Sequence, residues 1–166
     1  MDRVLVIGGN GAGKSYFTAK LSEKTGLPAV HLDKLFWREN WQSVSREEFD
    51  ALLVSELEKE KWIIDGNYQR TLPRRLDYAD TVFRFDFSTV RCVFGVLGRV
   101  ICNYGKTRPD IGGGNRERID LVFLKDVVSF RRRNKKKTDA LLRDRPDVTV
   151  VTFRTRRQAE RYLKTL

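Results

Sequence analysis

Short runs of apolar residues, most of them ended by glycine or aspartate, recur along the chain and predict β-strands. The first is Val4-Leu5-Val6-Ile7, which stops at Gly8. A continuous apolar run of this length is typical of a strand buried on both faces, as in a parallel sheet. Similar patterns predict the full set of strands at residues 3–7, 29–32, 61–65, 81–86 and 148–153.

Between these runs, apolar residues recur with the helical period of 3.6 residues. The clearest predicted helix is capped by Ser45, which forms a capping-box pattern with Glu48. Strands that alternate with helices predict an α/β fold, with a five-stranded parallel sheet covered by helices on both faces. Helices are predicted from the first glycine-rich turn to about Gly26, at about 44–59, 88–103 and 119–142, and after Thr155.

The 166 residues have the size of one domain, and neither linkers nor repeats divide residues 1–166. No apolar run approaches the roughly 18 residues that a membrane span needs, and no secretory signal precedes the first strand. Cys92 and Cys102 are expected to stay reduced. The sequence therefore predicts a cytoplasmic protein without a membrane partner, either a monomer or a dimer.

The eight residues after the first apolar run match the phosphate-binding P-loop pattern G-x-x-x-x-G-K-[ST]. Glycines let backbone N–H groups approach a polyphosphate closely. A lysine at the seventh position supplies a cation for the β- and γ-phosphates, and the final hydroxyl is a ligand for Mg²⁺. ATP and Mg²⁺ are thus the predicted cofactors, held by Gly8, Gly9, Asn10, Gly11, Ala12, Gly13, Lys14 and Ser15.

Two aspartates lie at or just after the carboxyl ends of predicted strands, where open α/β sheets bind their ligands. Asp33 follows the second strand and is a candidate for contact with Mg²⁺-bound water or for the base that receives a substrate hydroxyl proton. Asp65 ends the third strand and is a candidate Mg²⁺ ligand. The competing interpretations are a turn aspartate at Asp33 and a capping aspartate at Asp65.

The residues that follow these aspartates are candidates for binding the phosphate acceptor. Two tryptophans and an arginine after Asp33 are suited to a planar substrate that carries an anionic group. Packing of Trp37 and Trp41 on the next helix is the alternative. Arg70 is expected to face the same cleft and to hold a substrate phosphate. The predicted acceptor site comprises Asp33, Trp37, Arg38, Asn67, Tyr68 and Arg70.

The positive charge of the chain lies in its second half. The net charge is +11, and residues 91–166 carry 20 of the 33 Lys and Arg residues but only 8 of the 22 Asp and Glu residues. Such a basic half is suited either to surrounding a transferred phosphate with arginines or to attracting nucleic acid. The stretch Arg131–Lys137 packs six cations into seven residues. Solvated surface, weak nucleic-acid contact and one arginine reaching the active site remain alternatives there.

Three segments resemble the bacterial DNA topology modulation protein family, which belongs to the adenylate-kinase-like P-loop kinases. They are Gly8–Ser15, Leu32-Asp33 with the following Trp37 and Trp41, and Trp62–Tyr68. The resemblance extends over nearly the whole chain and implies a three-layer P-loop NTPase fold. Related nucleoside monophosphate kinases hold the acceptor with an Asp-Gly-x-Pro-Arg segment. This sequence lacks the proline and has its arginine one position later, at Arg70.

The resemblance also implies a mobile lid at about residues 105–118, which closes over ATP and brings arginines to the phosphates. Arg108 is then a candidate ATP ligand, and the implied catalytic residues are Lys14, Asp33, Arg99, Arg116 and Arg118. The expected function is transfer of the ATP γ-phosphate to a small, nucleotide-like acceptor. The alternatives are a nucleotide-dependent nucleic-acid-binding protein, as the family name suggests, and a plain ATPase.

Overall fold

The computed structural model describes residues 1–107, 111, 114–117 and 121–166, which form five strands and seven α-helices. The strands are β1 (Arg3–Gly8), β2 (Ala29–His31), β3 (Trp62–Asp65), β4 (Thr81–Phe85) and β5 (Thr149–Phe153). The helices are α1 (Lys14–Thr25), α2 (Leu32–Phe36), α3 (Arg46–Leu57), α4 (Leu72–Leu76), α5 (Thr89–Asn103), α6 (Leu121–Arg143) and α7 (Arg156–Lys164). Two 3-10 turns lie at Glu39–Trp41 and Gln69–Thr71. The predicted alternation of strands and helices is confirmed.

The five strands form one all-parallel sheet in the order β2-β3-β1-β4-β5. β1 lies at the centre, where Val4 is in register with Ile63 of β3 and with Thr81 of β4. From β1 the chain continues to β2 on one side of the sheet, whereas β4 leads to β5 on the other side. The direction in which successive strands are added to the sheet therefore reverses at β1. Ligands in open α/β sheets bind beyond the carboxyl ends of the strands at such a point.

Side chains that alternate along the strands form a separate apolar core on each face of the sheet. Val4 and Val6 of β1 pack with Phe17 of α1 and with residues of α5 and α7. Leu5 and Ile7 point to the opposite face and pack with residues of α2, α3 and α4. Helices therefore cover both faces, and the molecule has three layers, as a P-loop-like α/β fold requires.

Local capping sets the ends of several helices where the sequence predicted them. α1 ends at Gly26, whose φ of 72° is left-handed and whose N–H donates to the Ser22 carbonyl oxygen at 2.9 Å. The Ser45 hydroxyl accepts the Glu48 N–H at the start of α3. Thr155 and Gln158 form a reciprocal capping box at the start of α7. Within the described part of the chain, no helix is both long and apolar enough to cross a membrane.

Candidate functional site

A cavity of about 430 Å³ opens beyond the carboxyl ends of β1, β2 and β3. The residues that follow these three strands come together there because parallel strands end at the same edge of a sheet. Helices α5 and α6 and part of the predicted lid complete the walls. The described residues that line the cavity include Asn10, Lys14, Ser15, Asp33, Phe36, Trp37, Trp41, Asp65, Asn67, Tyr68, Arg99, Ile111, Glu117, Phe123 and Asp126.

The glycine loop (residues 8–13) connects β1 to α1 and needs glycine at specific positions. Gly8 has a φ of 142°, and a Cβ built on it would lie 2.5 Å from the Phe85 carbonyl oxygen. Gly11 has a φ of 81°, and its Cβ would lie 2.2 Å from the Cys92 carbonyl oxygen. Any other residue at either position would be strained and would clash with backbone. Both glycines are therefore required by close contact of the loop with β4 and α5, whereas the predicted approach of the loop backbone to a polyphosphate stays a prediction.

Helix α5 supports the glycine loop from behind through a contact that sequence reasoning missed. A Cβ built on Gly95 would lie 2.0 Å from the Gly11 carbonyl oxygen, so α5 packs directly against the loop backbone. The same carbonyl oxygen accepts a hydrogen bond from Arg156 Nη2 of α7 at 3.1 Å. A glycine inside an otherwise apolar helix was the available signal, because glycine is unfavourable there without a packing reason.

Lys14 lies at the first turn of α1, and its side chain is almost completely buried beside the cavity. Its Nζ donates to the Gly9 carbonyl oxygen at 3.2 Å. Burial lowers the pKa of Lys14, and the carboxylates of Asp65 and Asp33 oppose this shift by favouring the charged amine. First-turn N–H groups of a helix have no acceptor within the helix, so this end of α1 is suited to an anion.

Asp65 at the end of β3 has one satisfied and one unsatisfied carboxylate oxygen. Oδ1 lies 2.9 Å from Nδ1 of His31, the only histidine of the chain. Oδ2 is buried and has no hydrogen-bond partner within the described part of the chain. A buried carboxylate oxygen without a donor is costly, which indicates a partner that the protein itself does not supply. The arrangement fits a hard cation held by Asp65 and the Ser15 hydroxyl, which lines the same cavity.

Asp33 lies in the first turn of α2, directly after β2, and is joined to Tyr68, which also lines the cavity. The Tyr68 hydroxyl donates to Asp33 Oδ1 at 2.8 Å. Burial, and then the neighbouring Asp33 carboxylate, raise the pKa of Tyr68. Tyr68 therefore keeps its proton and remains a donor, which fixes one oxygen of Asp33 in position.

The segment after β3 is held by two further residues. The Asn67 side chain accepts from the Gly8 N–H at 3.2 Å and donates to Asn10 Oδ1 at 3.1 Å, so it ties this segment to the glycine loop. Arg75 of α4 is completely buried and donates to the carbonyl oxygens of residues 66, 67 and 68 at 3.1–3.2 Å. Burial lowers the pKa of Arg75 to about 10, so it stays charged at neutral pH.

Sequence reasoning did not single out Arg75. Its position beside Leu76 and three residues after Leu72, on the buried side of α4, was the available signal. Charged residues are rarely buried unless they are paired or hydrogen-bonded. An arginine on the apolar face of a short helix is therefore expected to bind carbonyl oxygens, although the sequence does not say which ones.

Two predicted acceptor residues lie elsewhere. The expectation that Arg70 faces the cleft is not met, because its guanidinium forms two hydrogen bonds with the Asp50 carboxylate of α3, at 2.7 and 2.6 Å. Arg38 is similarly paired with Glu48 of α3. Neither arginine lines the cavity. Both are held in ion pairs with acidic residues of α3.

Trp37 and Trp41 line the cavity instead of serving only to pack on the next helix. They flank a tight loop in which Asn40 and Trp41 have φ values of 54° and 59°. Left-handed conformations of non-glycine residues cost about 1–3 kcal/mol each and occur where the surroundings enforce them. Asn115 helps to hold this loop in its conformation, because its side chain accepts from the Trp41 N–H and donates to the Arg38 carbonyl oxygen, both at 2.8 Å.

The described part of the predicted lid therefore reaches across the cavity. Asn115 is hydrogen-bonded to the loop that contains Trp41, and Glu117 is buried in the wall of the cavity. Arg99 of α5 forms an ion pair with Glu117, with Nε 3.0 Å from Oε2, and its guanidinium lies 5.7 Å from the Phe123 ring centre. Arg116 is exposed and does not line the cavity. Arg108 and Arg118 lie outside the described residues, so their predicted roles stay predictions.

The basic stretch Arg131–Lys137 lies on α6, and carboxylates bind part of it. Lys135 contacts Asp86 and Asp139, and Arg131 also contacts Asp86. Arg133 is paired with Asp126. Among the residues that the structure describes, Arg132, Lys136 and Lys137 have no ion pair. This leaves a smaller exposed basic surface than the sequence alone suggested.

Comparison with known proteins gives no further guide to this site. No protein-family model matches the chain, and no curated protein is a significant match.

Proposed function

We propose that the protein is a P-loop phosphotransferase that moves the γ-phosphate of ATP to a hydroxyl group of a small acceptor. One observation carries the proposal. Asn10 of the glycine loop, Lys14 and Ser15 line the same cavity as two carboxylates near the ends of neighbouring strands, Asp33 and Asp65. A phosphate cradle, a cation-binding carboxylate and a candidate base are the parts that phosphoryl transfer requires.

The geometry supports a division of roles. The glycine loop and the first turn of α1 would hold the phosphates through backbone N–H groups, with Lys14 as the mobile cation. Ser15 and Asp65 would hold Mg²⁺, since both line the cavity and Asp65 Oδ2 is without a protein donor among the described residues. Mg²⁺, when bound, would neutralise charge on the transferred phosphate. Arg99 lies in the wall and would offset the remaining negative charge.

Asp33 is the proposed base. Its Oδ1 accepts from Tyr68, so the carboxylate is held in one orientation facing the cavity. The acceptor hydroxyl would give its proton to Asp33 while its oxygen forms a bond to the γ-phosphorus. The bond between that phosphorus and the β–γ bridging oxygen would break, and ADP would leave. Exclusion of water by Ile111 and Glu117, the described lid residues that line the cavity, would favour transfer over hydrolysis.

Replacement of Lys14 by alanine tests the nucleotide site. We expect Lys14→Ala to weaken binding of Mg-ATP at least about tenfold, because the variant removes the buried amine that lies beside the loop and is proposed to bind the phosphates. Isothermal titration calorimetry measures the affinity. Lys20→Ala on the same helix is the matched control, since Lys20 is exposed and paired with Glu23, and it should bind like the original protein. Equal affinity of Lys14→Ala, or no binding by the original protein, would refute the proposed function.

A second prediction concerns the support of the glycine loop by α5. In Gly95→Ala the new methyl group would push on the Gly11 carbonyl, so we expect Mg-ATP affinity to fall at least about tenfold. Gly98→Ala is the matched control on the same helix, because its Cβ would meet no atom within 4 Å. That control should leave affinity unchanged and raise helix stability by up to about 1 kcal/mol. Calorimetry and thermal melting of both variants test the contact. Similar affinities would show that α5 does not shape the loop.

A further inference from the structure

A second groove adjoins the cavity along helix α6. This α6 groove has a volume of about 520 Å³, and Arg133 and Lys137 of α6 line it. The side chains that line both the cavity and the groove are Asn10, Asn67, Tyr68 and Asp126. Tyr68 also donates to Asp33, so the groove begins beside the carboxylate that is the proposed base. A ligand whose reacting hydroxyl lies at Asp33 can therefore extend into the α6 groove.

The α6 groove is positively charged. Asp126 is the only carboxylate among the described residues that line it, whereas Arg133 and Lys137 are two cations. These cations are four residues apart, so they lie on one face of α6, about 6 Å apart. Arg133 is paired with Asp126 in an exposed ion pair, and such pairs are weak. Lys137 and the neighbouring Arg132 and Lys136 are exposed and have no ion pair among the residues that the structure describes. A row of cations of this kind is suited to consecutive phosphate groups of one strand.

Aromatic side chains line the cavity beside Asp33. They are Phe36, Trp37, Trp41 and Tyr68. Their rings contact one another in series, with centroid distances of 4.9 Å for Phe36–Trp37, 5.6 Å for Trp37–Trp41 and 5.1 Å for Phe36–Tyr68. Proteins that bind single-stranded nucleic acid stack the bases on aromatic rings and hold the backbone in a basic groove. The cavity and the α6 groove together contain both parts of such a site.

We propose that the acceptor is the terminal nucleotide of a single-stranded nucleic acid. Its base would stack on Trp37 and Trp41, and its free hydroxyl would donate to Asp33. The phosphates of the following nucleotides would bind Arg133 and Lys137 in the α6 groove. A base has to leave its duplex before it can enter such a cavity, so the strand end must be unpaired. This inference rests on the proposed function and replaces a free small acceptor by the end of a strand.

The reaction would add one phosphate group to the strand end. The terminal hydroxyl oxygen would form a bond to the γ-phosphorus of ATP while its proton passes to Asp33. The bond between that phosphorus and the β–γ bridging oxygen would break, and ADP would leave with the electron pair of this bond. The products are ADP and a strand that ends in a phosphate ester.

Matched acceptors test the requirement for a strand. Transfer of labelled γ-phosphate is measured with short single-stranded DNA and RNA that carry hydroxyl ends, with the blunt duplexes of the same sequences, and with the free nucleosides and nucleoside monophosphates. We expect at least one single strand to have a kcat/KM at least about tenfold above that of its duplex and its monomers, because only the strand makes both the stacking and the phosphate contacts. Equal or higher efficiency with the duplex, or with the monomers in every active set, would overturn the inference and leave the proposed function in place.

Charge reversal in the α6 groove tests the path of the strand. Lys137→Glu should raise KM for the preferred strand at least about tenfold and reduce its dependence on salt, because a phosphate contact is lost. Mg-ATP affinity should stay unchanged. Lys125→Glu is the matched control, since Lys125 is exposed on the same helix, lines neither the cavity nor the groove, and gives the same change in net charge. Equal effects of the two variants would show that only net charge matters and would overturn binding in the groove.

Binding without transfer separates the two proposals. Fluorescence anisotropy of a labelled single strand measures its affinity in the absence of ATP. Trp37→Ala should weaken this affinity at least about fivefold, the loss expected for one stacked base. Tyr16→Ala, which removes an exposed aromatic ring outside the cavity and the groove, should not weaken it.

The combined outcomes decide between the proposals. Strand binding that Trp37→Ala and Lys137→Glu both weaken, in a protein that never forms ADP, would support this site and refute the phosphotransferase. Strand binding that Trp37→Ala leaves unchanged would show attraction by charge alone and would overturn the inference. Absence of both strand binding and strand phosphorylation would overturn it as well.

Discussion

Asp33→Asn is expected to slow phosphoryl transfer by about 10²–10⁴-fold, the usual contribution of a positioned general base. Asparagine keeps an Oδ1 that accepts from the Tyr68 hydroxyl, so the cavity wall should be preserved. The amide has no basicity with which to take a proton from the acceptor. Mg-ATP affinity should therefore stay within about threefold of the original value, and the loss should appear in kcat. Single-turnover kinetics and calorimetry measure the two quantities.

Asp126→Asn is the control for this variant. Asp126 lines the same cavity but is paired with Arg133 of α6. The variant removes one negative charge from the wall without removing the proposed base, so its transfer rate should change less than about tenfold. An equal loss of transfer rate in Asp33→Asn and Asp126→Asn would show that the rate depends on the negative charge of the cavity and not on a base at Asp33. Retention of the full rate in Asp33→Asn would exclude Asp33 as the base.

Arg75→Met is expected to destabilise the fold by about 3 kcal/mol. The substitution keeps most of the side-chain volume but removes the donors of three hydrogen bonds to carbonyl oxygens of residues 66–68. A carbonyl oxygen left buried without a donor costs about 1–3 kcal/mol, and this cost falls on residues 66 and 67, because the Tyr68 carbonyl oxygen keeps its hydrogen bonds from Thr71. Burial of the charged guanidinium is itself unfavourable, as the lowered pKa of Arg75 indicates. Removal of this charge therefore offsets part of the lost stability. The melting temperature should fall by roughly 6–12 °C.

The neighbouring Arg74→Met is the matched control, because Arg74 is exposed on the same helix. It should change the free energy of unfolding by less than about 0.5 kcal/mol. Urea unfolding of both variants measures the difference. Arg75→Met should also weaken Mg-ATP binding, since the segment that it holds carries Asn67 and through it the glycine loop. Equal stability of the two variants would show that this segment does not depend on Arg75.

The arrangement of strands and helices was predictable because its causes are local. Apolar runs such as Val4–Ile7 and Trp62–Ile64 are buried on both faces, and such burial is typical of central parallel strands. Gly26 and the Thr155–Gln158 pair mark helix ends through backbone geometry and hydrogen bonds within a few residues. The glycine loop was predictable from the spacing of its glycines along the chain, although the atoms that its glycines approach, in Phe85 and Cys92, were not.

The partners of the charged side chains were not predictable in the same way. The sequence placed Arg70 in the cleft, but an aspartate twenty residues earlier on α3 binds it. The sequence indicated no protein side chain as a partner for Asp65. In the structure Asp65 lies beside His31, because β2 and β3 are adjacent in the sheet. Such pairings depend on which elements become neighbours, and long flexible side chains reach any of several carboxylates.

The sequence alone determined the parallel α/β fold, the glycine loop and the positions of Asp33 and Asp65 after their strands. These features follow from hydrophobic periodicity and from the steric freedom of glycine, which act within a short stretch of chain. Only the tertiary structure decided that α5 supports the loop at Gly95, that Arg75 holds the segment after β3 and that Tyr68 holds Asp33 beside the aromatic side chains of the cavity. Those contacts join residues far apart in the chain, and close packing selects them only after the sheet and helices have assembled.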